Sequence, residues 1–133
     1  MRVLDTHALV WWLSDPERIP AKTRKLLDAS ISAPRSTFVS SISIWEVAML
    51  VERGRLELSL ELSVWLGNVE TLPFLTFVPV DNQIAVRSVQ LDDCPTRDPA
   101  DRIIVATALG LGATLVTADA KLRGYRRVTT AWD

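Results

Sequence analysis

The chain has 133 residues, with 15 Lys and Arg against 16 Asp and Glu, one His and one Cys. That length suits a single domain with its own buried core, since domains cluster near ~100–150 residues. Cys94 alone excludes an internal disulfide and fits a reducing compartment as a packed thiol. Asp5 and His7 cut the apolar N-terminal stretch, and no uncharged run approaches the ~20 residues of a membrane span, so the expectation is a soluble, cytoplasmic protein. A net charge of −1 argues at first against a nucleic-acid partner, because such proteins usually carry a basic footprint.

With 48% apolar residues the chain is not disordered, and it shows no linker, repeat or low-complexity tract. Short β-type runs alternate with longer helical patterns. Val3-Leu4 reads as a first strand, and residues 6 to 13 as the start of a helix that Ser14-Asp15-Pro16 interrupts. Pro20 opens an amphipathic helix whose apolar positions include Leu26, Leu27 and Ile31. Thr37 to Ser40 is a second strand, Ile44 to Glu52 a helix stopped at Gly54, and 61 to 70 a helix ending before Pro73. Leu75 to Val78 is a third strand, followed by a helix over about 82–91. Asp98-Pro99 opens a strong helix through Leu111, closed by Gly112; Ala113 to Thr117 is a strand, and a last one is expected near 127–129. This alternation implies βαβ units, a mainly parallel sheet and an α/β fold with helices on both faces.

In such sheets ligands sit beyond the carboxyl ends of the strands. Five acids fall there: Asp5 after the first strand, Glu46 in the helix after the second, Asp98 and Asp101 around the first turn of the Pro99 helix, and Asp119 after the strand ending at Thr117. Each has a local explanation. Ser43 and Glu46 match a capping box. Asp98, Asp5 and Asp119 can each cap the helix that follows, with Asp101 favourably placed near a helix N-terminus. Caps explain each acid separately but not their common placement, because a parallel sheet brings all these ends to one edge.

Two carboxylates ~4 Å apart repel by roughly 4 kcal/mol at an effective dielectric near 20, about three pKa units, so such a cluster calls for a cation. With one His and one Cys, a zinc site of several His or Cys ligands is excluded. Oxygen ligands select a hard ion, Mg²⁺ or Mn²⁺. The chemistry this points to is metal-assisted phosphodiester hydrolysis with one or two ions.

Leu4-Asp5-Thr6-His7, Ser40 to Val47, Arg97-Asp98-Pro99-Ala100-Asp101-Arg102 running into Ile103 to Ala108, and Leu115-Val116-Thr117-Ala118-Asp119 together resemble PIN-domain nucleases, and within them the VapC toxins of type II toxin–antitoxin systems. The resemblance covers nearly the whole chain and implies one PIN-like domain over 1–133 with a three-layer α/β/α fold. Carried over by position, it implies an acidic site of Asp5, Glu46, Asp101 and Asp119 with Asp98 close by. Asp5, Asp101 and Asp119 are then metal ligands, and Thr6 and Thr117 accessory polar residues. Ala100 stands where the subgroup often has an aromatic residue, which touches local packing rather than catalysis. The implied activity is Mg²⁺-dependent endoribonuclease action, with tRNA or ribosomal RNA as common targets. The implied partner is a VapB-like antitoxin that binds DNA through its own N-terminal domain, and members are generally homodimers.

Further features carry a structural and a functional reading side by side. Trp11, Trp12, Trp45, Trp65 and Trp132 are core residues, or else Trp11, Trp12 or Trp65 line a groove for the antitoxin's apolar segment. His7 is a hydrogen-bonded neighbour of the site or a general base. The run Lys121 to Arg127 holds four bases in seven residues without an acid; Lys121 and Arg123 are candidate phosphate contacts and Tyr125 a stacking surface. Arg102 pairs with an acid or contacts phosphate. Two rivals remain: an inactive PIN-like interaction module whose acids merely cap helices, and a receiver-type phosphoacceptor, which wants paired acids after the first strand and a Lys at the end of a late strand, whereas here Asp5 stands alone and the late strand ends in Thr117-Ala118-Asp119. Setting the five clustered acids aside leaves 11 acids against 15 bases. The near-neutral total therefore hides an acidic cleft within a basic surround and does not exclude RNA.

Overall fold

A computed structural model describes residues 1–133. Five strands, β1 (Arg2–Leu4), β2 (Thr37–Ser40), β3 (Leu75–Val78), β4 (Thr114–Val116) and β5 (Thr130–Ala131), form one sheet in the order β3-β2-β1-β4-β5, with every neighbouring pair parallel. The helices are α1 (Thr6–Ser14), α2 (Ala21–Ser30), α3 (Ser41–Glu52), α4 (Leu62–Glu70), α5 (Asn82–Val89), α6 (Pro99–Leu111) and α7 (Ala120–Arg123), with a 3₁₀ turn at Pro16–Arg18 where the sequence shows a break after the first helix.

The three layers follow from the period of two along each strand. Leu4, Val39 and Val116 point into a core shared with Leu9, Trp12, Leu27, Val47 and Trp65 of α1 to α4. Their neighbours Val3 and Leu115, with Phe38 packed alongside, point the other way, into a core shared with Ile104, Val105 and Ala108 of α6 and with Leu122 and Tyr125. Both faces of the sheet are covered, which is why the strands read as short apolar runs instead of alternating ones.

The element boundaries depart from the sequence reading at two places that matter. The last strand lies at Thr130–Ala131, later than the expected 127–129, because it is a two-residue addition that pairs Leu115 with Thr130 and Val116 with Ala131. Helix α3 begins at Ser41, three residues earlier than Ile44, with Ser40 as its cap accepting from the Ile42 amide. Gly112 closes α6 at φ 63°, a left-handed conformation that glycine adopts without the steric penalty of a Cβ.

Candidate active site

At the carboxyl edge of the sheet, three of the acids are helix caps. Asp5 leaves β1 and accepts the Ala8 amide at 2.8 Å, starting α1. Asp98 accepts the amides of Ala100 at 2.8 Å and Asp101 at 3.4 Å, with Pro99 in the first turn of α6 where a missing N–H costs nothing. Asp119 accepts the amides of Lys121 at 2.8 Å and Leu122 at 3.4 Å and starts α7. In each case the cap amides bond the same carboxylate oxygen, Oδ1.

Glu46 is different, and the capping-box reading of it is corrected. With α3 starting at Ser41, Glu46 sits in the second turn and caps nothing; Ser43 is inside the helix and fully buried. One turn apart, Ser43 and Glu46 share the face turned to α1. There the Thr6 hydroxyl donates to Glu46 Oε1 and forms a 3.0 Å hydroxyl–hydroxyl hydrogen bond with Ser43. Thr117, also fully buried, plays the same part on the other side: its hydroxyl accepts the Asp119 amide at 3.0 Å and hydrogen-bonds the Asp5 carboxyl. The two threonines thus hold three of the five acids.

All five acids, with His7, Trp11 and Ala118, line one pocket of about 390 Å³. One oxygen each from Glu46, Asp98 and Asp101 lies within 4.8 Å of the others. Burial pushes the Asp101 carboxyl up from its ordinary 3.8 to about 7, with Asp98, Glu46, Asp119 and Asp5 adding repulsion in that order. Asp101 therefore feels every other acid of the cluster. Burial likewise raises Asp5, against the hydrogen bonds from Thr117 and Ala8 that lower it. The three ion pairs of the chain, Arg18–Asp15, Lys22–Asp133 and Arg127–Asp92, all lie elsewhere. Uncompensated carboxylate oxygens with no thiolate among them fit a hard divalent cation.

The other candidates are distributed differently. Lys121 and Arg123 are exposed on α7, directly after Asp119. Arg102 faces neither acid nor cleft: its guanidinium donates to the carbonyls of Ser88, Thr96, Val89 and Leu91, so the phosphate and ion-pair readings of it are both corrected. Tyr125 is buried with its hydroxyl on the Asp92 carbonyl at 2.7 Å and offers no stacking surface. His7 is exposed beside the site with its ring 5.5 Å from that of Trp11.

Trp12 belongs to the core, donating to Asp28 at 3.0 Å and meeting the Phe74 ring edge-on. Trp11 and Trp65, by contrast, line an apolar groove of about 650 Å³ between α1, the 56–60 segment and α4, with Val10, Leu13, Leu56, Leu58, Leu60, Val69 and Leu72. Trp11 borders both this groove and the acidic pocket. The part played by Trp11 at that boundary was hidden in the sequence, where its one signal is closeness to Asp5.

Comparison with known proteins agrees with this geometry. The family model described as PIN domain matches residues 2–128. Ribonuclease VapC22 of Mycobacterium tuberculosis is 32% identical over 98% of this chain and 97% of its own length. Among solved structures, VapBC2 from Rickettsia felis bound to a promoter DNA fragment superposes with a TM-score of 0.71 at 17% identity, covering 99% of this chain and 98% of that one. DNA-bound VapBC from Salmonella typhimurium gives 0.68 at 20% identity, covering 98% and 96%. FitAcB from Neisseria gonorrhoeae gives 0.66 at 22%, with the same coverage of 98% and 96%. At these identities the structures speak for the fold, while the family model and the curated relative speak for membership: the chain belongs to the PIN domain family.

Proposed function

We propose that this protein is a metal-dependent endoribonuclease and the toxin component of a type II toxin–antitoxin system. The observation that carries the reading is the convergence of four carboxylates on a fifth, Asp101, with no Lys or Arg paired to any of them. The 32% identity to a ribonuclease over nearly the full chain supports the same conclusion.

The residues present fit Mg²⁺, with Mn²⁺ as its substitute. Asp5, Asp101 and Asp119 would hold it, joined by Glu46 and Asp98, whose oxygens lie within 4.8 Å of one another and of Asp101. When bound, such an ion supplies charge neutralisation at the scissile phosphate and activation of water. The chain's own part is orientation. Thr6 holds Glu46 toward the pocket, Thr117 ties Asp5 to Asp119, and the caps at Asp5, Asp98 and Asp119 keep one oxygen of each occupied. Lys121 and Arg123, exposed on the element that Asp119 begins, supply positive charge along which an RNA backbone lies.

A VapB-like antitoxin is the proposed partner, with an apolar segment seated in the groove of Trp11, Leu58 and Trp65, and DNA contacts left to the antitoxin. The functional unit is a homodimer. No helix is long and apolar enough to cross a membrane. The rival reading, an inactive module whose acids merely cap helices, accounts for Asp5, Asp98 and Asp119 but gives Glu46 no task. Incubating the purified protein with RNA tests the proposal: cleavage in Mg²⁺ that stops in EDTA is expected, and cleavage unaffected by EDTA overturns the mechanism.

A further inference from the structure

Between the end of α5 and the start of α6, residues 90–98 form a strap with neither helix nor strand. It delivers Asp98, and through the Asp98 cap it sets the first turn of α6 that carries Asp101. Residues 91–97 make no backbone–backbone hydrogen bond. Backbone groups in that state turn to side chains or water, and the side-chain bonds to the strap's carbonyls come mostly from one residue. Arg102 donates through Nε to Ser88 O at 2.8 Å, through one terminal nitrogen to Thr96 O at 3.0 Å, and through the other to Val89 O at 3.3 Å and Leu91 O at 3.4 Å. Its planar fork thus joins the last turn of α5, the beginning of the strap and its end. Thr96 in turn accepts the Asp98 amide on its hydroxyl at 3.2 Å. The remaining tie, from Tyr125 to Asp92 O, holds the strap at a point six residues before Asp98.

We propose that Arg102 is a positioning residue for the acidic site: by gathering the carbonyls of residues 88, 89, 91 and 96 it fixes the strap that places Asp98 and Asp101. Arg102 touches no acid of the cluster and acts through Thr96 and the Asp98 cap. Charge-assisted bonds from a guanidinium to carbonyls are stronger than neutral ones, and a lysine cannot reproduce the fork. This inference rests on the metal-site reading for its consequence, but the ordering of the strap stands independently of any ion.

The test uses the full chain as wild type and as Arg102→Lys, Arg102→Ala and Tyr125→Phe. Hydrogen exchange without metal reads the strap, and Mn²⁺ titration by calorimetry reads the site. In Arg102→Ala the amides of Asp98, Ala100 and Asp101 should exchange at least about tenfold faster, and Mn²⁺ should bind about 10–100-fold more weakly, the range typical of groups that support metal ligands. Arg102→Lys should fall between, and it keeps the test informative if the alanine variant fails to fold. Tyr125→Phe should leave both readouts near wild type. Unchanged exchange and unchanged affinity in Arg102→Ala and Arg102→Lys overturn the role, as does an equal loss in Tyr125→Phe, which would make the effect one of general destabilisation. Absence of Mn²⁺ binding by the wild type would instead refute the metal-site reading, with the exchange data still deciding the strap.

Discussion

The Thr6 hydroxyl donates to the Glu46 carboxylate across the contact between α1 and α3. Glu46 is the one clustered acid that is neither a helix cap nor in the first turn of a helix, and Thr6 comes directly after Asp5, which follows β1. The end of the first strand thus sets two acids, Asp5 as the residue that directly follows it and Glu46 through the next side chain.

Thr6→Val should preserve shape while removing that donor and leaving Ser43 without its partner. Metal affinity and RNA cleavage should fall by roughly tenfold, as for other groups that orient ligands. The loss of melting temperature should correspond to the ~1–3 kcal/mol of one unsatisfied buried hydroxyl. Calorimetric titration beside a thermal melt separates the two effects. Cleavage equal to wild type would remove Thr6 from the account.

Asp101 gives the pH dependence its sign. Its folded value is about 7 against 3.8 in the unfolded chain, so the folded state binds more protons between those values. Its contribution to stability is fully present below the unfolded value and is lost as pH rises through the folded one. Asp101→Asn should therefore melt several degrees above the wild type in EDTA near pH 8, with the difference closing on acidification toward pH 4. Mg²⁺ should raise the wild type more than the variant. A variant less stable than wild type at alkaline pH would show that the cluster is not frustrated.

The groove and the acidic pocket should separate by mutation even though Trp11 borders both. Leu58→Glu places a charge among apolar side chains of the groove and outside the pocket lining. It should abolish neutralisation by a co-expressed antitoxin while RNA cleavage continues. Growth assays with and without the antitoxin read this directly. Retained neutralisation would place the partner elsewhere.

Much of the site was legible in the sequence because backbone chemistry wrote it there. Asp98-Pro99 and Asp119-Ala120 announce helix starts, and a parallel sheet sends such starts to one edge. Glu46 could be placed in the acidic site, but its local structural part could not be read. Ser43 and Glu46 three apart fit a capping box and a shared helix face equally well, and the choice depends on whether α3 begins at Ser41 or at Ile44. Arg102 was opaque for a related reason. Its position beside Asp101 says nothing about where a long side chain goes, and its four carbonyl partners lie between six and fourteen residues earlier in the chain. The two-residue β5 escaped because it is held by pairing with β4 rather than by any strong propensity of its own.

The most direct measurement is RNA cleavage by purified wild type, Asp5→Asn and Asp119→Asn in Mg²⁺ and in EDTA, with circular dichroism confirming that all three are folded. The account predicts cleavage by the wild type in Mg²⁺ alone and none detectable in either variant. Full cleavage by a folded variant, or by any of the three in EDTA, would contradict it.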